Sequence, residues 1–322
     1  MYLILRIFVA LFFAGTLFAD YDRAVTYTFS YGRFGDNLLS YLHAKWISYT
    51  NDMPLLYKPF ELSEGLVLSQ LEKPYAGSGA EGWTPVELGR GRMIYKRTGG
   101  PTLYISPYFP EDPHELKSGR DLNRRSWPYF AVDWHHPGFR KVAREMIAPK
   151  ENLKLLDLPQ KKITIALHFR DGGDFDGPDM HLKIPLKFPP AKFYIEALRE
   201  VFARFPGHQF YCYIFTDANS PEEVARRICE AFPPDAPIQF DWRKEKNHWD
   251  LHVLEDFFSL FLFDVLIHPQ SNFSVVPTLI HTFAIAIAPK AFHMDKQKNV
   301  FIDEIDQQID PELCSQIQLR CL

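Results

Sequence analysis

Apolar β-strand segments alternate with helical segments throughout the part of the sequence that follows residue 157. The strand patterns are KITIALHF, QFYCYIFTD, PIQF, DVLIHP and AIAIAP, and the helix patterns are PAKFYIEALREVFARF, SPEEVARRICEAF, WDLHVLEDFFSLFLF and FSVVPTLIHTF. Continuously apolar strands that alternate with helices indicate a parallel sheet with helices on both faces. The pattern therefore predicts an α/β fold, in which ligands bind outside the carboxyl ends of the strands.

The chain before residue 157 is less regular. AVTYTFS, residues Ala24–Ser30, predicts a strand, and a glycine turn then leads to a helix that begins near Leu38. A strand is expected at Thr102–Ser106, and PGFRKVAREMIAP predicts a helix with proline at its start. LDLPQKK is typical of a linker, which predicts an N-terminal domain over residues 21–156 and a C-terminal domain over residues 157–322.

The sequence begins with MYLILRIFVALFFAGTLFAD, which is almost entirely apolar. Residues 1–20 are therefore expected to be a signal peptide or a membrane anchor. This predicts a protein of the secretory pathway (Golgi or endoplasmic reticulum), or one that is exported or attached to a membrane through its N-terminus.

Charge and cysteine content exclude some classes of partner. The formal net charge is −4, so the basic surplus typical of nucleic-acid-binding proteins is missing. No CxxC spacing occurs, so a structural zinc site is not expected. Cys314 and Cys321 lie close together in the sequence and could form a disulfide in an oxidising compartment.

The segment HFRDGGD follows the first strand of the C-terminal sheet, so Arg170 is expected at the ligand crevice. Its planar guanidinium suits two phosphate oxygens, and Gly172 and Gly173 allow backbone to approach an anion. His168 lies two residues earlier, on the same strand face as Arg170. The alternative is a surface arginine that pairs with Asp171 or Asp174.

Two further segments are expected at the same crevice. HPQSNFS ends a strand and begins a helix, and Ser271, Asn272 and Ser274 would offer donors and a positive helix end to a phosphate, or cap the helix. In IFTDANS, Asp217 ends a buried strand and could accept hydrogen bonds from a purine base. The alternative for Asp217 is a cap for the SPEEV helix, where Ser220 is also suited to capping.

Cation sites compete with this interpretation. Asp171, Asp174 and Asp176 could bind a metal, and DFD resembles the Asp-X-Asp motif of metal-dependent sugar-nucleotide transferases, although Arg170 beside it would repel a cation. The loop departs from a calcium-binding loop at Gly173 and Leu182. Asp176 and Asp179 are otherwise expected to be solvated loop carboxylates.

A zinc site on HWDLH is a further alternative. His248 and His252 would share one face of the predicted helix at a spacing of four residues. No Glu follows His248 as it does in the metalloprotease motif, so this hypothesis has little support.

Four motifs, taken in order, resemble those of the fucosyltransferase superfamily, which contains α1,2-, α1,6- and protein O-fucosyltransferases. YGRFGDN is similar to the Gly-X-X-Gly-Asn motif of these enzymes, HFRDGGD resembles their His-X-Arg motif, and IFTDAN matches their Phe-Ser/Thr-Asp. DFFSLFLFDVLIHPQSNFS resembles the segment in which an Asp precedes Ser-X-Phe-Ser, with Asp256 standing 15 residues before Ser271.

This resemblance implies a GT-B fold, with two Rossmann-like domains facing a central cleft. It implies inverting transfer of fucose from GDP-fucose to a glycan or glycoprotein hydroxyl, with no metal and no other cofactor. Arg170 would hold the β-phosphate, and His168 and Asp217 would contact the nucleoside. The other implied donor-binding residues are Gly32, Arg33, Phe34, Gly35, Asn37, Gly172, Gly173, Asp174, Ser271, Asn272, Phe273 and Ser274.

Asp36 stands where the resembling motifs carry Asn. A carboxylate at this position could act as the catalytic base, or it could cap the helix that is expected near Leu38. Two other functions stay open at this stage. One is a non-catalytic or differently specific GDP-sugar-binding protein, and the other is a metal-dependent transferase that uses Asp174 and Asp176.

Overall fold

A computed structural model describes residues 21–29, 32–88, 99–106, 132–173, 176–177 and 179–321. Within these ranges the chain forms a three-stranded sheet in its first half and a six-stranded sheet in its second half. A short two-stranded sheet lies beside the first of these. The leader at residues 1–20 lies outside the described residues, and its assignment stays a prediction. Every helix that is described is too short or too polar to span a membrane.

The first half contains β1 to β5 and α1 to α3. Their bounds are β1 Arg23–Tyr27, α1 Phe34–Asn51, β2 Leu56–Tyr57, α2 Leu68–Leu71, β3 Lys73–Pro74, β4 Thr84–Glu87, β5 Thr102–Ser106 and α3 Pro137–Ile147, with 3₁₀ turns at Ser63–Gly65 and Ala80–Gly82. The sheet order is β1-β5-β4, and all pairs are parallel. The predicted strands and helices are present, but α1 begins at Phe34, before the expected start near Leu38.

The second half contains β6 to β11 and α4 to α9. Their bounds are β6 Ile163–Phe169, α4 Met180–Lys183, α5 Ala191–Arg204, β7 Phe210–Thr216, α6 Pro221–Cys229, β8 Ile238–Trp242, α7 Val253–Ser259, a 3₁₀ turn Leu260–Leu262, β9 Val265–Ile267, α8 Asn272–Ile280, β10 Ile285–Met294, β11 Val300–Ile309 and α9 Pro311–Arg320. The sheet order is β11-β10-β9-β6-β7-β8, and only the β10–β11 pair is antiparallel.

Strand β6 lies inside this sheet, between β7 and β9. All seven of its residues are buried, which explains its continuously apolar sequence. His168 is the only titratable side chain in the strand. The mainly parallel sheet of apolar strands confirms the prediction that was made from the alternation of strands and helices. Because β6 and β7 are parallel neighbours, their carboxyl ends lie side by side.

Helices α7 and α8 belong to the second half of the sequence but complete the core of the first half. Phe257 of α7 and Val276 and Ile280 of α8 are fully buried in the same cluster as residues of β1 and α1. The rings of Phe34 and Phe257 pack edge to face with centroids 5.2 Å apart. The first turn of α1 also meets the first turn of α8, where Asn272 donates a hydrogen bond to Asp36 at 2.6 Å. The predicted domain boundary at residue 157 stays a prediction.

Several local predictions are wrong. WDLH does not belong to a helix, because α7 begins at Val253. Ser220 precedes α6 but makes no capping hydrogen bond with its side chain. Cys314 and Cys321 are free thiols rather than a disulfide, as are Cys212 and Cys229.

Candidate functional site

A cleft lies at the carboxyl ends of β6 and β7. The loop that precedes α7 and the first turns of α1 and α8 complete its walls. The segments that the sequence places at one crevice therefore do meet. The predicted site residues that border the cleft are Gly32, Arg33, Phe34, Gly35, Asp36, His168, Arg170, Asp217, Ser271, Asn272 and Phe273.

Two arginines and two carboxylates form a buried ionic cluster at this cleft. The side chain of Arg170 is 7% exposed; its Nη2 donates to Asp176, and its Nη1 lies 3.1 Å from Oδ2 of Asp217. Nη2 of Arg33 donates to the same Oδ2 of Asp217 at 2.7 Å and lies 3.6 Å from Oδ2 of Asp176. Arg170 and Arg33 thus bring two permanent positive charges, one from each half of the chain, to the same wall of the cleft.

Asp217 is held by more donors than the sequence suggests. Its Oδ2 faces both arginines, while its Oδ1 accepts the backbone N–H groups of Asp171 and Gly172 at 2.8 and 3.0 Å. None of these donors belongs to α6, so the prediction that Asp217 caps that helix is wrong. Asp217 instead ties the loop after β6 to the end of β7. Its contact with a nucleoside stays a prediction.

Asp176 is not the solvated loop carboxylate that the sequence predicts. Its side chain is 10% exposed and pairs with both Arg170 and Arg33. The loop after β6 folds back so that the Asp176 N–H donates to the carbonyl of Gly172 at 3.2 Å. Asp179 is exposed, as expected, and Asp174 lies outside the described residues.

Two glycines let the loop after β6 turn tightly. Gly172 and Gly173 have φ values of +99° and +54°, in the region that side chains rarely adopt. A Cβ added to Gly173 would lie 2.8 Å from the carbonyl oxygen of Asp217. The expected close backbone approach is therefore present, but in this structure it is made to the end of β7. Gly172 and Gly173 lie behind the cleft wall rather than along it.

The first turns of α1 and α8 converge on the cleft. The backbone N–H groups of Phe34, Gly35, Asn272 and Phe273 make no hydrogen bond within the described part of the chain, as is usual for the first residues of helices. Ser271 occupies the N-cap position of α8 without a side-chain capping bond. Two positive helix ends and their free donors therefore face the same volume, an arrangement that suits an anion.

Asp36 joins the two helix ends. Its Oδ1 accepts a hydrogen bond from Nδ2 of Asn272 at 2.6 Å. The prediction that Asp36 caps a helix near Leu38 is wrong, because α1 begins at Phe34 and Asp36 lies inside its first turn. A carboxylate there complements the helix dipole.

Both glycines of the GRFG segment, Gly32 and Gly35, are needed for close contacts. A Cβ on Gly35 would lie 2.5 Å from the backbone nitrogen of Phe273, and one on Gly32 would lie 2.0 Å from Oδ2 of Asp36. Asn37 is buried beneath this turn and donates from Nδ2 to the carbonyl of Gly32 at 3.2 Å. Its role is therefore to hold the turn, and it does not border the cleft.

His168 is buried and linked to α8. Its Nδ1 lies 2.8 Å from Oγ of Ser274, and that hydroxyl also donates to the carbonyl of Ser271 at 3.2 Å. Burial lowers the pKa of His168 to about 4, so the ring is neutral at physiological pH.

Sequence reasoning missed several residues that border the cleft, among them Glu61, Lys187, Trp249 and Asp256. The guanidinium carbon of Arg33 lies 5.6 Å from the ring centroid of Trp249, within the range of a cation–π contact. Burial raises the pKa of Asp256 to about 6, although its ion pair with Arg243 opposes that rise. Asp256 belongs to one of the resembling motifs but had no predicted role. Trp249 lies in the segment that was wrongly predicted to be helical.

The cation hypotheses gain no support. Within the described ranges, no group of three or more His, Cys, Asp or Glu side chains could hold a metal ion. Asp176 is paired with two arginines, and a cation would have to displace them. His248 and His252 precede α7, and His252 has φ +56°, so the predicted shared helical face is wrong.

Comparison with known proteins identifies the fold. A mutant form of Arabidopsis thaliana FUT1, solved in complex with GDP, matches with a TM-score of 0.52 and 13% identity, over 86% of this chain and 72% of that chain. The chain shares the fold of that protein, an α/β fold of the GT-B type. This confirms the fold class that the motifs imply.

Weaker structural matches have TM-scores below one half. POFUT1 in complex with GDP-fucose gives 0.45 at 12% identity, over 82% of this chain and 95% of that chain. The fucosyltransferase NodZ from Bradyrhizobium gives 0.43 at 12% identity, over 90% of this chain and 99% of that chain. No protein-family model matches the sequence, and no curated protein matches it.

Proposed function

We propose that this protein is a glycosyltransferase that moves fucose from GDP-fucose to a glycan or glycoprotein hydroxyl, with inversion and without a metal. The observation that carries the proposal is Arg170, buried at the end of β6 with Arg33 beside it, next to the converging ends of α1 and α8. A permanent bidentate cation and free helix-end donors are what a departing diphosphate requires. The fold shared with Arabidopsis FUT1 in complex with GDP is consistent with this use of the cleft.

The proposed chemistry follows from where negative charge builds up. As the sugar leaves, charge accumulates on the β-phosphate, and a fixed guanidinium with helix-end N–H groups stabilises that charge without reorganisation. Arg170 supplies the guanidinium, and Ser271, Asn272 and Phe273 line the diphosphate site. His168, which is neutral because it is buried, would contact the nucleoside together with Asp217. The GRFG turn would face the donor from the first half of the chain.

The acceptor side and the cellular location are proposals of the same kind. The acceptor is a glycan or glycoprotein hydroxyl that enters from the first half of the chain. Residues 1–20 would deliver the enzyme to the secretory pathway or hold it at a membrane. Nucleic acid is not proposed as a partner.

The first test is transfer and hydrolysis with GDP-fucose by purified protein in excess EDTA. We expect release of GDP and transfer to members of a glycan and peptide panel, at rates that EDTA does not change. Loss of activity in EDTA that is restored by Mn²⁺ or Mg²⁺ would instead support a metal-dependent transferase. Binding of GDP-fucose without hydrolysis or transfer to any acceptor would support a non-catalytic GDP-sugar-binding protein.

Asp36 is proposed as the base that takes the acceptor proton. Asp36→Asn is expected to lower the rate of transfer by about 10²-fold, while GDP affinity changes little, because general bases contribute roughly 10²–10⁴ in rate. The variant keeps an oxygen that can accept from Asn272. Rate constants from single-turnover assays and GDP titrations measure the two effects separately.

Asp256→Asn is the matched comparison for Asp36→Asn. Asp256 borders the same cleft, and with a pKa of about 6 it could also accept a proton above that pH. If Asp256 were the base, transfer by the wild type would fall as pH drops through about 6, and Asp256→Asn would lose both the rate and this pH dependence. That result, with Asp36→Asn near normal, would reject Asp36 as the base.

A further inference from the structure

The arginines that would bind the diphosphate already have anionic partners. Within the described part of the chain, Arg33 and Arg170 both form ion pairs with Asp176 and with Asp217. The charges of these four side chains therefore cancel one another. A diphosphate entering the cleft adds negative charge to a neutral cluster, so one carboxylate has to give way before the guanidinium groups can hold phosphate oxygens in bidentate fashion.

The two carboxylates are not equally replaceable. Asp217 is held by both arginines and also by two backbone N–H groups, those of Asp171 and Gly172. In the part of the chain that the structure describes, the Asp176 carboxylate is held only by the two arginines, and it belongs to the loop after β6 rather than to the end of a strand. Release of Asp176 therefore leaves the backbone anchors of the cluster intact, whereas release of Asp217 does not.

Arg170 also carries an unused donor. Its Nε is buried and has no hydrogen-bond partner in the described part of the chain. Asp176 takes only Nη2, the terminal nitrogen that forms one bidentate edge of the guanidinium together with Nε. A buried donor without a partner is unfavourable, because it has lost its hydrogen bonds to water. A phosphate on the Nε–Nη2 edge would satisfy Nε and would have to replace Asp176 at Nη2.

We infer that Asp176 is a resident counter-ion that neutralises Arg170 and Arg33 in the empty site and is displaced by the diphosphate of the donor. The identity of the ligand as a diphosphate in this inference rests on the proposed function. The carboxylate thereby sets the affinity for the donor and for the product, because binding has to compete with an ion pair.

The test compares Asp176→Asn with the wild type in titrations with inorganic pyrophosphate and with GDP at the same ionic strength. We expect both ligands to bind Asp176→Asn about tenfold more tightly than the wild type. This factor corresponds to a wild-type protein in which Asp176 has released the arginines about one tenth of the time. Asp176→Ala, which cannot form a new hydrogen bond to either arginine, is expected to change affinity in the same direction. Thermal unfolding establishes that each variant is folded.

Asp179→Asn is the matched control. Asp179 lies on the same loop, is exposed, and adopts φ +64°, which Asn tolerates. The Asp179→Asn substitution removes the same charge from the loop but leaves both partners of the arginines in place. Its affinities for pyrophosphate and GDP should therefore equal those of the wild type. An equal gain in Asp179→Asn would reduce the effect to general loop charge and overturn the inference.

The direction in which pyrophosphate affinity changes distinguishes a counter-ion from a residue that only orients Arg170. If Asp176 merely orients Arg170 for the ligand, both Asp176 variants will bind pyrophosphate more weakly or equally, and the inference is overturned. Binding by neither the wild type nor the variants would overturn it as well. If Asp176→Asn gains pyrophosphate affinity while GDP binds no better than pyrophosphate, the counter-ion role stands and the proposed nucleotide-sugar function fails.

Discussion

Replacing Arg170 with alanine is expected to lower the rate of fucose transfer by about 10²–10³-fold, the usual effect of removing a group that stabilises charge in the transition state. Arg170→Lys should be almost as inactive, because an ammonium keeps the charge but loses the planar fork. The measurement is single-turnover transfer from GDP-fucose. Product release then does not mask the chemical step.

The fold should survive both changes at Arg170. Arg33 still faces Asp217 and Asp176, so neither carboxylate is left without a cation. Circular dichroism and thermal unfolding check this. Arg226→Ala is the matched control, since Arg226 is 63% exposed and pairs with Glu230, the residue that follows its own helix α6. Near-normal turnover by folded Arg170→Ala would remove Arg170 from the mechanism.

The sequence predicts the central sheet well because burial on both faces imposes a simple pattern. Strand β6 is buried along its whole length, and its continuously apolar sequence is typical of a strand that is covered on both faces. Strand β11 was missed for the opposite reason. VFIDEIDQQI lies at the sheet edge, half-exposed, and its acidic and amide residues hide the strand pattern. Helix α9 follows it without an apolar signal strong enough to predict.

The position of the cleft follows from topology, which the sequence also reveals. Parallel strands bring their carboxyl ends to one edge, so Arg170, Asp217 and Ser271 had to be neighbours once the strands were recognised. The prediction that WDLH is helical was wrong because His252 adopts a left-handed backbone conformation. Nothing in the sequence marks that conformation, since the residue is not a glycine. Trp249 was therefore misplaced on a helix.

The pairing inside the cleft could not be predicted. Arg33 and Asp217 are separated by 184 residues, and their contact depends on how α1 lies against α8. The same is true of Asp36 and Asn272, 236 residues apart. Asp176 was interpreted as solvated because loop acids usually are, and only the folded loop shows that it faces two arginines.

Gly35→Ala is expected to separate the two helix ends on which the site is built. The added Cβ would lie 2.5 Å from the backbone nitrogen of Phe273 and 2.7 Å from the carbonyl carbon of Asn272. Backbone atoms cannot rotate away as a side chain would, so α1 and α8 must shift apart. Overpacking of this kind costs about 1–3 kcal/mol, which outweighs the gain of up to about 1 kcal/mol from replacing glycine in a helix.

The displacement of α1 in Gly35→Ala should lower the rate of transfer more strongly than it lowers the free energy of unfolding. Moving α1 from α8 weakens the Asp36–Asn272 hydrogen bond and displaces Asp36 from the cleft. A displacement of about 1 Å in a reacting group can lower a rate by about 10²-fold. We expect transfer to fall by about that factor, GDP affinity to fall less, and urea unfolding to show a loss of about 1–2 kcal/mol.

Gly82→Ala is the control for Gly35→Ala, because a Cβ on Gly82 meets nothing within 4 Å. It should leave transfer, GDP affinity and stability unchanged. The combination of full stability and full activity in Gly35→Ala would mean that α1 and α8 do not touch at this point. The cleft would then lack the wall that brings the first half of the chain to the donor, and the role of the GRFG turn would have to be abandoned together with that of Asp36.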